Sequence, residues 1–134
     1  EKRAATRRRA TLGWWDANKV GLGPPPLETD AGWLIMYHGV RTTAAGALYR
    51  VGLALLDREH PERVIARGNE WVFGPSAPYE VAGDVPDVVF PCGWVLEDDN
   101  DTLRMYYGAA DSCIALATAR VSELLTYLFL HPMS

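Results

Sequence analysis

Hydrophobic positions along the chain come in short runs separated by glycine, proline and acidic residues. Most of these runs have the length of strands, not helices. The plainest is 32–40, Gly-Trp-Leu-Ile-Met-Tyr-His-Gly-Val, an apolar and aromatic segment bounded by glycine, which predicts one buried strand. The run 47–56 follows, with Tyr49, Val51, Leu53 and Leu55 alternating with Arg50, Gly52 and Ala54. Period-two alternation predicts a half-buried strand, antiparallel to the first. A short edge strand is expected over 62–66 around Val64 and Ile65. A long strand over 87–96 is expected to be bulged at Pro91 and Gly93. An acidic hairpin turn, 97–101, leads into a paired strand over 102–108. A third strand over 112–120 places Cys113, Ala115, Ala117 and Ala119 on one face. Only 121–130 reads as a helix, with Ser122 placed to cap it, Leu124, Leu125 and Leu128 on one face, and Pro132 ending it.

The connecting segments carry turn chemistry. A short strand is expected around Trp14 and Trp15. Residues 16–23 read as a Gly-containing loop holding an isolated Lys19. Pro24, Pro25 and Pro26 read as a rigid, extended surface loop, because proline neither donates to a central ladder nor continues a helix. Residues 28–31 and 81–86 read as turns, 41–46 as a small-residue loop, and 68–79 as irregular chain anchored by Trp71 and Phe73. Antiparallel units in series followed by one terminal helix fit a propeller, a sandwich or a barrel, and the pattern does not choose among them.

Composition narrows the function classes. The 134 residues suffice for one domain with a core, and the net charge of −4 argues against non-specific nucleic-acid binding. Lys2, Arg3, Arg7, Arg8 and Arg9 crowd the N-terminus, where a solvated tail is the plainer reading than a phosphate patch. No apolar run reaches the roughly 18 residues of a membrane span. The first residue is Glu, so the sequence is expected to begin inside a longer one or after processing. Cys92 and Cys113 form no C-x-x-C pair and the three histidines do not cluster, so neither zinc nor a disulfide framework is expected. Two buried thiols in a reducing compartment are expected instead. The acidic turn 97–101 lacks calcium-loop spacing, and no P-loop, nucleophile elbow or dinucleotide fingerprint appears.

Four residues stand out as candidates. Two strand exits look alike, Met36-Tyr37-His38-Gly39 and Met105-Tyr106-Tyr107-Gly108, and each has one ionisable group at or after it, His38 and Asp111. This points to a repeated β unit with chemistry at a common end. His38 is either a satisfied core histidine or a donor to an anion or sugar hydroxyl. Asp111 is either a turn former or a carboxylate accepting paired sugar hydroxyls. Lys19 is either simply solvated or, among its small neighbours, open to an anion. Tyr49 reads first as core.

Six motifs together carry a family resemblance. They are Trp14-Trp15 with Lys19-Val-Gly-Leu-Gly-Pro-Pro-Pro; the 32–40 run; Tyr49-Arg-Val-Gly-Leu-Ala-Leu-Leu-Asp; Gly83-Asp-Val-Pro-Asp-Val-Val-Phe-Pro-Cys-Gly; Tyr106-Tyr-Gly-Ala-Ala-Asp; and the closing Glu123-Leu-Leu helix. In order and spacing they resemble the C-terminal part of the β-mannoside phosphorylases of glycoside hydrolase family 130, with Asp87 standing where the family pattern has Asn. The resemblance implies an all-β fold, part of a five-bladed β-propeller with antiparallel blades and a short C-terminal helix. Residues 1–134 would be an incomplete, C-terminal portion of one catalytic domain. It implies inverting phosphorolysis of β-1,4-mannosides, giving α-mannose 1-phosphate, with inorganic phosphate as co-substrate and no cofactor. Lys19, His38 and Tyr49 would line the phosphate site and Asp111 would hold the mannosyl ring.

The family's general acid would lie outside this chain. At about 40–50 residues per blade, the chain supplies roughly three blades' worth. It is therefore expected to need the N-terminal half and to be inactive alone. A cytoplasmic enzyme, possible as a homo-oligomer and without nucleic-acid or membrane partners, is the corresponding expectation. A hydrolase of the same fold and a non-catalytic sugar-binding β module are the competing readings.

Overall fold

The computed structural model describes residues 19–44, 46–68, 89–109 and 113–130. The described residues form eight strands and one helix, in two antiparallel sheets. The first sheet contains β1 (Lys19–Leu22), β2 (Leu27–Thr29), β3 (Gly32–Thr43), β4 (Gly46–Leu56) and β5 (Val64–Arg67), in the order β1-β3-β4-β5 with β2 also on β3. The second contains β6 (Val89–Leu96), β7 (Thr102–Ala109) and β8 (Cys113–Arg120), in sequence order. Helix α1 (Val121–Leu130) follows β8 directly. The expected strand near Trp14, the Trp71–Phe73 anchor and the 81–86 turn lie outside the described residues.

The β3–β4 hairpin is the spine, paired from Trp33↔Leu56 to Thr43↔Gly46. The expected loop over 41–46 is therefore mostly strand. Thr42 and Thr43 are β-branched and suit extended backbone, so the ladder runs almost to the turn. β4 was expected to be half-buried, but every residue from Val51 to Leu56 is buried. Val51, Leu53 and Leu55 join Leu34 and Met36 in the core between the sheets. Ala54 and Leu56 join Ile35 and Tyr37 in a second cluster on the opposite face, with Val20, Trp33 and Val64 packed against it. Small residues at Gly52 and Ala54 made that second face look polar-neutral in sequence, although it is covered.

Two further strands replace expected loops. β1 pairs antiparallel with the edge of β3, Lys19↔Val40 to Leu22↔Tyr37, and β2 pairs with the same edge nearer its start. The turn expected over 28–31 shrinks to the tip at Asp30 and Ala31. Gly32 has φ 140°, and a Cβ there would collide with the Leu56 carbonyl oxygen. Between β1 and β2, the proline loop is less superficial than expected, since Pro24 is fully buried. It docks on the second sheet: Trp94 Nε1 donates to the Pro25 carbonyl at 2.7 Å, and Pro91 lies against Gly23.

The second sheet follows the sequence pattern closely. Its register shifts between Pro91 and Gly93, the expected bulge. Leu103, Met105, Tyr107 and Ala109 face the core, and the small side chains of Ala115 and Ala117 continue that face across β8. An apolar gap of about 150 Å3 remains there, lined by Met36, Leu103, Met105, Ala117 and Leu124 among others. Cys92, at the bulge, and Cys113, at the start of β8, are exposed, which corrects the expectation of buried thiols.

The cap of α1 is not Ser122. Asp101, in the β6–β7 turn, accepts the Val121 N–H on its carbonyl at 2.8 Å and the Ser122 N–H on its carboxylate at 2.9 Å. A helix start needs acceptors for its orphan N–H groups, and a carboxylate also complements the helix dipole. Leu128 is fully buried, and Leu124, Leu125 and Tyr127 pack on the core. No helix of the described residues is long and apolar enough to cross a membrane.

Candidate active site

The register of β1, β3 and β4 arranges the candidate residues in rows. Directly paired residues in an antiparallel ladder share a face. One row is Lys19–Val40–Tyr49 and the next is Gly21–His38–Val51. Residues two apart on a strand also share a face, so both rows lie on the same side of the sheet. Further along that side come Met36 with Leu53 and then Leu34 with Leu55, which form the inter-sheet core. One sheet face thus changes chemistry along its length, from packed aliphatic side chains to His38 and then to Lys19 and Tyr49. Lys19 is exposed, His38 half-buried and Val40 buried. The positions of Lys19 and Tyr49 are two strand spacings apart, about 10 Å. Of Tyr49 only the backbone is described.

His38 sits at the boundary between core and solvent. Its imidazole lies across β1, with the Cε1–Nε2 edge over Gly21. Nε2 stands 2.6 Å, and Nδ1 3.3 Å, from where a Cβ on Gly21 would be. Burial lowers the His38 pKa from its ordinary 6.5, because the charged ring would lose solvation. The neutral form of the ring, which carries one N–H, is thereby favoured. On the opposite face, buried Arg67 donates from Nε to the Tyr37 hydroxyl at 2.9 Å, which ties β5 to the residue next to His38.

The two sheets share their ends. Gly23 lies by Pro91, Pro25 by Trp94, and Asp30 borders the same groove as Leu96 and Asn100. β6 therefore runs from the Lys19 end, at Val89, to the far end, at Leu96. β7 returns and finishes with buried Ala109 paired to Val89, at the same end as Lys19 and His38. Asp111 lies two residues further on and outside the described residues. Among the described residues no group of three or more His, Cys, Asp or Glu side chains could hold a metal ion. Gly21 was not singled out from the sequence. Only the pairing of β1 with β3 reveals its place under His38, and four residues flanked by glycine carry little strand signal.

Comparison with known proteins places the chain in a family. The chain is 38% identical over 117 residues to a beta-1,4-mannooligosaccharide phosphorylase of Ruminococcus albus, covering 87% of this chain and 35% of that protein. It is 45% identical over 103 residues to a beta-1,2-mannobiose phosphorylase of Thermoanaerobacter, covering 77% of this chain and 32% of that one. The solved structure of the beta-1,2-mannobiose phosphorylase of Listeria innocua, in complex with beta-1,2-mannobiose, superposes with a TM-score of 0.83 at 41% identity. That match covers 92% of this chain and 33% of the other. The chain thus spans about a third of the length of the relatives it matches. Residues 4–129 match the family described as beta-1,4-mannooligosaccharide phosphorylase, and the chain belongs to glycoside hydrolase family 130.

Proposed function

We propose that this chain is the C-terminal portion of a five-bladed β-propeller and supplies the phosphate side of an inverting β-mannoside phosphorylase. The observation that carries this reading is the register that sets Lys19, His38 and Tyr49 on one face, at the end of the sheet where β7 also finishes, at Ala109. In the reaction a phosphate oxygen forms a bond to the anomeric carbon as the bond to the leaving sugar oxygen breaks. That oxygen takes a proton from a general acid outside this chain. The products are α-mannose 1-phosphate and the shortened saccharide.

A phosphate dianion acting as nucleophile needs a fixed cation and fixed donors. Lys19 provides the cation, neutral His38 an N–H and Tyr49 a hydroxyl. Asp111 accepts hydroxyl hydrogens of the mannosyl ring. A hydrolase would instead place a second carboxylate to activate water. β-1,4-Mannosides are the proposed substrates and no cofactor is required. The enzyme is proposed to act in the cytoplasm, and this chain to be inactive without the rest of the propeller.

Lys19→Met and His38→Ala in the complete enzyme test the assignment. Each should raise the KM for phosphate about tenfold to a hundredfold, the weight of one charge-assisted hydrogen bond. Unchanged phosphate dependence would remove both residues from the site.

A further inference from the structure

Gly21 lies opposite His38 in the β1–β3 ladder, and the ring occupies the volume that any side chain at position 21 would fill. We infer that Gly21 is a positioning residue for phosphate binding, an open seat in β1 that lets the His38 imidazole lie down across the strand beside Lys19. The inference rests on the assignment of His38 to phosphate.

Three observations support it. The atoms that a Cβ would meet at Gly21 all belong to the His38 ring, with no backbone atom among the nearest three. Relief of the clash therefore falls on the histidine rotamer, and the β1–β3 ladder can stay as it is. Lys19 and Gly21 share a face of β1, one strand repeat apart, so a ring laid over Gly21 occupies the row next to that of Lys19. A ring standing upright from β3 would leave that space empty. Finally, Gly21 has no left-handed φ that would demand glycine on backbone grounds, since Gly32 is the positive-φ glycine of the described residues. The space above Gly21, not its conformation, is what glycine supplies.

The experiment compares Gly21→Ala, His38→Ala and the double variant in the complete enzyme, measuring KM for phosphate and for mannoside separately, with thermal melting alongside. Misplacing a ligand-binding group by about 1 Å costs up to about a hundredfold. Gly21→Ala should therefore raise the phosphate KM about tenfold to a hundredfold and leave the mannoside KM and melting nearly unchanged. In the His38→Ala background it should add nothing. If His38→Ala raises the phosphate KM while Gly21→Ala does not, or if the two effects simply add, the seating role is wrong. If His38→Ala leaves the phosphate KM unchanged, the assignment of His38 to phosphate fails and this inference with it.

Discussion

The imidazole of His38 lies over Gly21, its cross-strand partner, where the apolar core face of the sheet gives way to solvent. A titratable ring at such a boundary is partly desolvated, and burial holds its pKa below 6.5. As pH falls, the unfolded chain takes up this proton before the folded one does. The stability associated with neutral His38 is full above about pH 6.5. It declines as pH drops from there through the folded pKa and changes no further below it. An NMR titration of the His38 ring in the complete enzyme should give a midpoint under 6.5 without phosphate. A midpoint above 6.5 would contradict the burial described for this ring.

Asp101 and Asp99 organise the junction between the β6–β7 turn and helix α1. Asp99 accepts from the Asp101 and Thr102 N–H groups and from the Thr102 hydroxyl, which together hold its pKa at about 2. The Asp101 pKa is lowered too, first by the backbone N–H of Ser122. Both folded pKa values lie below the ordinary 3.8, so their stabilisation is complete above that value and is lost as pH falls from there through the folded values. Asp101→Ala should lower the melting temperature more than Asp101→Asn, which keeps an acceptor oxygen. Far-UV circular dichroism during acid titration should show helix loss beginning at higher pH in both variants. Identical acid midpoints in variants and parent would remove Asp101 from the cap.

Two glycines make opposite predictions. Gly32 has a left-handed φ and its missing Cβ faces the Leu56 carbonyl, whereas a Cβ on Gly93 would meet nothing within 4 Å. Gly32→Ala should cost at least about 1–3 kcal/mol, and Gly93→Ala should be close to neutral. Denaturant unfolding of the complete protein checks both. Equal costs at the two positions would mean that the β2–β3 turn relaxes more easily than its geometry implies.

Much of the fold was legible because its signals are local. The alternation in β4, the aromatic run of β3, the acidic turn before β7, the proline bulge in β6 and the helix face at Leu124, Leu125 and Leu128 each sit within about ten residues of chain. The errors come from partners distant in sequence. β1 looked like a loop because Lys-Val-Gly-Leu has no periodicity to show, and it becomes a strand only because β3 presents an edge. Ser122 looked like the cap because Asp101 is 21 residues away from it. The alternation of β4 implied a solvent face, but Ala54 and Leu56 are buried there in one cluster with Ile35 and Tyr37 of the neighbouring strand. The roles of Lys19, His38, Tyr49 and Asp111 came from the family resemblance, not from spacing. What the fold adds is a register in which the first three share a face, and the place of Gly21 beneath His38.

The most direct measurement is product analysis with β-1,4-mannobiose, with and without inorganic phosphate, using the complete enzyme and the 134-residue chain side by side. The account predicts α-mannose 1-phosphate from the complete enzyme only when phosphate is present, and no turnover by the chain alone. Free mannose released at the same rate with or without phosphate would contradict it and leave Lys19, His38 and Tyr49 without the role proposed here.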